Sequence, residues 1–306
     1  MQEPVQGLVV ARVESDADLE DMIAVRVRAE PASPPPRLAN LRHNLESERD
    51  LVYLVARLDA EPVGCGFAET AEAPYAGAHV IVVREVRRRG VGTALLHEVS
   101  ARAGARGKRE LQGEARADDD ESRAYFERRG YRVVGGEAAV ALDLGTVDAD
   151  RPSPPAGVEI VTRAQRPDVV EGMYEVAVEA DEDIPGNDVV RSFDVFRAQD
   201  VDRPTRTAHL CFVALSGDEV VGYAVLDDYG DFGFHGLTAV KRAWRRRGVA
   251  TALKRAQIAA ARERGFRRLV TGSEERNAPM RNLNAKLGFR PEPSLSTVEL
   301  RGPLLS

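Results

Sequence analysis

Residues Arg87–Leu95 read RRRGVGTAL, and residues Arg245–Leu253 read RRRGVATAL. Eight of the nine positions agree, and the two stretches lie 158 residues apart. A second pair of landmarks keeps the same interval. Gly130-Tyr131 and Gly288-Phe289 are also 158 residues apart, and each glycine follows the glycine of its RRRGV by 40 residues. An arginine-rich composition can produce one such match by chance, but not two in one register. The interval far exceeds a solenoid unit, so the chain reads as a tandem duplication of a whole domain.

The elements around each motif repeat in order. In the first copy Leu8–Val13 reads as a strand, Ser15 or Asp16 caps a helix running to Ala29, and a second helix spans 37–49. Leu51–Leu58 and Pro62–Glu69 form a hairpin turned at Asp59–Glu61, and 78–83 is a third strand. After the glycines, 93–105 has helical apolar spacing, followed by a strand near Leu111, a helix at 121–129 and a last strand pair ending at Leu144. The second copy gives strands at 158–162, 210–215, 220–226, 234–240 and 269–272, and an edge strand at 297–301. Its helices fall at 168–180, 188–199, 251–264 and 280–287. Each copy is thus a mixed α/β (α+β) domain. The Pro-rich stretch Asp148–Gly157, DADRPSPPAG, suits a stiff linker. It sets an N-terminal domain at 1–147, a linker at 148–157 and a C-terminal domain at 158–306.

Composition narrows the classes. With 306 residues, 43% apolar and 30% charged, the chain has the make-up of a folded protein with sizeable cores. No stretch approaches the ~20 uninterrupted apolar residues of a membrane span. The start, Met1-Gln2-Glu3-Pro4, has no basic and apolar leader, so a cytoplasmic location with no membrane partner is expected. A net charge of −6, with no aromatic residues interleaved in the arginine runs, argues against nucleic acid. Only four of the 43 basic residues are lysines: Lys108, Lys241, Lys254 and Lys286. Cys65 and Cys211 lie in apolar runs and read as buried free thiols, too few for a zinc site, and no metal is expected.

The repeated motif joins a strand end, a glycine turn and a helix start. Unpaired N–H groups at a helix N-terminus, with the helix dipole behind them, bind phosphate. Gly90 and Gly92, and Gly248 and Ala250, let a phosphate approach the backbone, and the flanking arginines add charged donors. The motif lacks GxxxxGK[ST], and Leu95 and Leu253 occupy the third glycine of GxGxxG.

The pattern [QR]-x-x-G-x-[GA] between strand and helix resembles the acyl-CoA signature of the GCN5-related N-acetyltransferase (GNAT) superfamily. Arg87-x-x-Gly90-x-Gly92 and Arg245-x-x-Gly248-x-Ala250 both carry it. The tandem layout is similar to that of the mycothiol synthases, whose substrate is not carried over. The resemblance implies a two-domain GNAT fold and acetyl-CoA as cosubstrate. In the first copy it implies that Val82, Val83, Arg87, Arg88, Arg89, Gly90, Val91, Gly92 and Thr93 hold acetyl-CoA. In the second, Ala239, Val240, Arg245, Arg246, Arg247, Gly248, Val249, Ala250, Thr251 and Asn277 do so. Asn277 takes the position of the family asparagine that bonds the coenzyme A arm. The family tyrosine that protonates the leaving thiolate is replaced by Asn284 in the second copy and Phe126 in the first. Tyr125, one position off and about 100° around the helix, is expected to point elsewhere.

The implied reaction is acetyl transfer to the amine of a small molecule, with oligomeric state open. Candidate bases are His79, at the position of a family glutamate, and His235, beside the matching Gly236; both also read as packed strand residues. Asp181, Glu182 and Asp183 are expected to form an acidic entrance for a cationic acceptor, which makes the second copy the catalytic one. The alternative is a non-catalytic acyl-CoA-binding or sensing protein.

Overall fold

Ser15 opens the first helix by a reciprocal cap: its hydroxyl accepts from the Asp18 N–H, and the Asp18 carboxylate accepts from the Ser15 N–H. Leu19, Met22, Val25 and Ala29 then fall on one face and are buried. Similar local logic sets most of the chain. The computed structural model describes residues 5–69, 73–147, 154–183 and 190–305. In the first copy the order is β1 (Leu8–Arg12), α1 (Asp16–Ala29), α2 (Leu38–Ser47), β2 (Val52–Leu58), β3 (Glu61–Glu69), β4 (Ala76–Val82), α3 (Val91–Ala105), β5 (Glu110–Arg116), α4 (Asp120–Glu127) and β6 (Arg132–Asp143). In the second it is β7 (Glu159–Thr162), α5 (Val170–Asp183), α6 (Phe193–Phe196), β8 (Cys211–Ser216), β9 (Glu219–Asp228), β10 (Phe232–Val240), α7 (Val249–Glu263), β11 (Arg268–Glu274), α8 (Ala278–Lys286), β12 (Arg290–Pro291) and β13 (Thr297–Pro303). Residues 148–153 of the expected linker and 188–189 of the expected helix lie outside the described residues; beyond α6 the chain continues as a π-helical turn, Arg197–Val201. Among the described residues no helix is long and apolar enough to cross a membrane.

Two compact units result: Met1–Glu137 with Ser294–Ser306, and Ala138–Pro293. In the first, antiparallel β1-β2-β3-β4 is extended by β5, parallel to β4, and then by β13 and the first half of β6. In the second, antiparallel β7-β8-β9-β10 is extended by β11, parallel to β10, and by the second half of β6, which also carries the short β12. The sequence cut at 147 and 158 therefore differs from the units observed. The expected edge strand of the second copy is an interior strand of the first unit. Seven residue pairs join it to β5, from Thr297↔Arg116 to Pro303↔Glu110. The reason lies in side-chain fit. Leu300 is buried in the first unit's core, Arg301 lies 4.0 Å over the Tyr75 ring and donates to Gln112, and Gly302 leaves room for Tyr131.

Each unit has its own apolar interior. In the first, the buried faces of α1 and α3, with Leu95, Leu96 and Val99, pack on Leu54, Val55 and Ile81 of the sheet. In the second, Val176, Val213, Val225 and Phe196 form one cluster and Val221, Val249 and Leu253 another. Cys65 and Cys211 are buried free thiols, and burial pushes both up to about 12.

Leu300→Ala should destabilise the first unit by about 2–4 kcal/mol, the usual cost of a buried leucine truncation. Hydrogen exchange checks it: amides of β5 should lose protection while those of β8 and β9 keep theirs.

Candidate functional site

The two glycine loops share one backbone conformation. The Arg87 side chain donates to the Val82 carbonyl, and Arg245 donates to Val240. The middle arginines are left-handed, with φ +64° at Arg88 and +61° at Arg246, and Gly90 and Gly248 follow at +87° and +89°. Such angles at arginine are strained and mark a loop fixed by its surroundings. Gly90 and Gly248 are the N-caps of α3 and α7, and neither helix has a side-chain cap. The leading N–H groups, from Val91, Gly92 and Thr93 and from Val249, Ala250 and Thr251, are thus left for an anion. A Cβ on Gly92 would meet only Val82, at an ordinary 3.5 Å, which explains why Ala250 serves in the second copy.

In the first unit the parallel strands β4 and β5 pair only at Ala76↔Leu111 and Gly77↔Gln112. Beyond that they part, and a cleft of about 330 Å³ lies between Val80–Val82 on one side and Glu114–Arg116 on the other. Six arginines line it: 84, 87, 88, 116, 128 and 129. The exposed Arg89, and Val83, which is buried in the core, lie off its lining. Asp119 caps α4 by accepting from Ser122 and pairs with Arg87 at 2.9 Å. Burial alone would raise its pKa; the Ser122 hydrogen bonds and the Arg87 charge outweigh this and hold it below the usual carboxylate range. Asn277 has the same local task, accepting from the Met280 N–H at the head of α8.

Tyr125 corrects an expectation. It does not point away: both Tyr125 and Phe126 line the cleft. The α4 helix has no buried residue, so neighbouring positions can both face a wide groove. The Tyr125 hydroxyl lies 3.1 Å from the Thr93 hydroxyl, and the Arg129 guanidinium sits 3.6 Å over its ring. Its side chain therefore stands at the glycine-loop end of the cleft.

His79 also lines the cleft and meets the Phe67 ring edge to face. Burial, helped by the Arg26 charge and opposed by Glu30, lowers its pKa to about 4. At neutral pH it is uncharged and a weak base, suited to hydrogen bonding rather than to taking a proton from an ammonium.

The second copy differs at the same strand. β4 keeps an unbroken register with β3, whereas β10 carries a bulge between His235 and Thr238. Val82 and Val240 hold matching pairs, to Gly64 and Gly222, so Leu237 rather than Gly236 stands where His79 does. The Arg206 guanidinium packs on Gly236, where a Cβ would come within 2.8 Å of it. Arg206 is bound by Asp227 and Asp200, and Asp200 also accepts from Tyr223 and pairs with Arg191.

The acidic segment is not an open entrance. Asp181 is 3% exposed and bonded to Arg191 at 2.9 and 3.0 Å. Glu182 and Asp183 pair with Arg242, and Asp183 also takes Arg245 at 2.6 Å. Their partners lie 10 to about 60 residues away, which sequence spacing could not reveal. Nor does His235 face solvent. It is 1% exposed, strongly held neutral by burial and by the Lys254 charge, and 3.2 Å from the Lys254 amine. Asn284 is equally buried. Among the described residues no cluster of His, Cys, Asp and Glu is placed to hold a metal.

Two α/β units, each with a glycine loop at the head of a helix beside a parting pair of parallel strands, define an acyltransferase-type architecture. The Acetyltransferase (GNAT) family model matches residues 19–131 and 173–289, and the chain belongs to that family. No curated protein matches the sequence. Among solved structures, the fold is similar to a tandem GNAT protein from the clavulanic acid biosynthesis pathway, at 21% identity and TM-score 0.78, over 98% of this chain and 99% of that one. It is similar to a GCN5-related N-acetyltransferase from Sphaerobacter thermophilus, at 19% identity and TM-score 0.75, over 98% and 97%. A more distant likeness is Saccharomyces cerevisiae N-myristoyltransferase with bound myristoyl-CoA, at 9% identity and TM-score 0.71, over 100% and 81%.

The His79 environment has a consequence for stability. The unfolded chain takes up this proton near 6.5 and the folded chain near 4, so stability is lost as pH falls through that window. The melting temperature of His79→Gln should fall less than that of the parent between pH 6.5 and 4, read as the difference between the two curves.

Proposed function

We propose that the first unit binds acetyl-CoA in its cleft and transfers the acetyl group to the amine of a small molecule. The observation that carries this reading is the cleft itself, where an uncapped helix start, an arginine-lined mouth and an unpaired strand edge meet. The N–H groups of Val91, Gly92 and Thr93, with Arg84 and Arg88, hold the diphosphate. Val80–Val82, free of β5, give the pantetheine arm a backbone edge to pair with. The amine nitrogen attacks the thioester carbon; a C–N bond forms and the C–S bond breaks. The thiolate leaves unaided, its thiol pKa being near the ~8.5 of cysteine. Glu30, Glu114, Asp119 and Glu121 line the cleft, and the proton shed by nitrogen passes to one of these lining carboxylates. This reading moves catalysis from the second copy to the first. There, Arg206 covers the bulge and Asp183 engages Arg245.

A second reading, a non-catalytic acyl-CoA-binding protein, is favoured by Phe126 and Asn284 at the positions of the family acid. Turnover of acetyl-CoA with a panel of amines separates the two.

An acidic residue in the first turn suits a helix but repels a phosphate. Gly92→Asp should therefore fold normally and weaken acetyl-CoA binding at least tenfold by calorimetry, whereas Ala250→Asp should leave it within about twofold. The reverse pattern would assign the site to the second unit. Tyr125→Phe, which removes the bond to Thr93, should raise KM for acetyl-CoA by up to about tenfold with little change in kcat, as expected for one hydrogen bond.

A further inference from the structure

The two strands that bound the first cleft also enclose a second, smaller space. The cleft is lined by residues 79–82 of β4 and 114–116 of β5. An inner cavity of about 20 Å³ is lined by residues 78–80 of β4 and by Leu111, Gly113 and Glu114 of β5. The last pair joining these strands is Gly77↔Gln112. The cavity therefore sits at the vertex of the fork, between the last strand pair and the cleft. His79, Val80, Glu114 and Phe126 line both spaces, so a single layer of residues lies between them.

The walls decide what the cavity can hold. Leu96 of α3, Leu300 of β13 and the residues Phe126 and Tyr131 complete a mostly apolar lining. Of the lining side chains, only Tyr131 has a buried polar atom, its hydroxyl, without a partner among the described residues. A held water takes two to four polar partners, and apolar cavities stay dry. About 20 Å³ is room for one water-sized group, so one further carbon fits and two do not. The space is closed by core packing, which yields little. Leu96, Leu111 and Leu300 are each at most 2% exposed, and Gly113 is so close to β4 that a Cβ on it would strike the Ala78 carbonyl at 2.2 Å.

The seat proposed for the donor fixes where its acyl group points. With the diphosphate at the head of α3 and the pantetheine arm along Val82 to Val80, the coenzyme runs from the open end of the fork toward its vertex. The thioester stands at the far end of that arm, and the acyl chain is aimed at the cavity. We propose that the cavity receives the third carbon of the donor's acyl chain, so that the first unit prefers propionyl-CoA to acetyl-CoA and rejects butyryl-CoA. This rests on the reading of the cleft as an acyl-CoA site and refines its donor. An acetyl group ends within the cleft. A propionyl methyl leaves water for an apolar wall, and the fourth carbon of a butyryl chain collides with buried leucines. The transfer is balanced as before: a C–N bond forms at the propionyl carbonyl carbon, the C–S bond breaks, coenzyme A leaves as the thiolate, and the amine proton passes to a lining carboxylate.

The test needs no acceptor: dissociation constants of acetyl-, propionyl- and butyryl-CoA for the full chain, by calorimetry. Propionyl-CoA should bind about two- to fivefold tighter than acetyl-CoA, the increment of one buried methylene, and butyryl-CoA at least about threefold weaker than propionyl-CoA. Ala78 shares a strand face with Val82, the face turned to Gly92 of α3. Ala78→Cys, which adds one atom to that wall, should abolish the propionyl advantage. Leu96→Ala, which removes three carbons from the opposite wall, should bring butyryl-CoA level with propionyl-CoA. Damage to the fold would weaken all three thioesters alike and leave their order unchanged. Should either variant fail to fold, the order in the parent decides. Propionyl-CoA less than about twofold tighter than acetyl-CoA, or butyryl-CoA within about threefold of propionyl-CoA, would overturn this proposal and leave the acyl-CoA reading standing. Binding of none of the three, or binding that survives Gly92→Asp, would remove both.

Discussion

Two parallel strands that pair briefly and then separate set the terms for the rest of each unit. A parallel pair normally runs on until its backbone groups are spent, because buried N–H and C=O groups must find partners. Here β4 and β5 meet at two residue pairs, and β10 and β11 at three. Everything beyond is strand edge facing an opening, next to a helix whose first N–H groups also lack caps. The glycine loop is the joint that turns the chain from the freed edge into that helix, and it does so with the same left-handed arginine and glycine in both copies. In the first unit the opening is a cleft. In the second, a bulge, Arg206 and its carboxylates occupy the corresponding region.

Much of this was legible in the sequence. The glycine motifs, the hairpins, the capped first helix and the duplication are written in local spacing and turn chemistry, and the elements follow them closely. What escaped depended on partners distant in the chain. The alternation of Thr297–Arg301 announces a strand, but not that Leu300, Arg301 and Gly302 fit around Tyr75, Gln112 and Tyr131 of the other copy. The extra residue in β10 was invisible because both repeated landmarks lie after it in the chain, where the 158-residue interval holds. The acidic segment looked available because Arg191 and Arg242 are absent from its neighbourhood in sequence.

The site was legible in part. The glycine loop at the head of α3 and of α7 follows from its sequence. Tyr125 was set aside on helical geometry, and that geometry gives an angle between neighbours but not the width of the groove they face. Divergence between the copies is sharpest in the interior. Leu96 and Lys254 occupy one helical position, as do Phe126 and Asn284, so the same backbone carries apolar side chains there in one copy and polar ones in the other. Helix periodicity marks Lys254 only as a polar residue on an amphipathic helix. Its burial comes from packing of α7 against His235 of β10 and the Phe289 ring that follows α8.

The placement of β13 has a consequence for how the protein comes into being. A ribosome that has made the whole first copy has not yet made the strand that sits between β5 and β6. At roughly 5–20 residues per second, the stretch that separates that copy from β13 takes on the order of ten seconds to make. The first unit thus waits with an open sheet until β13 emerges, while the second can close from segments already in hand. Order of birth and order of completion are inverted, and a nascent chain stalled late in translation would present an unpaired strand edge as a handle for chaperones or proteases.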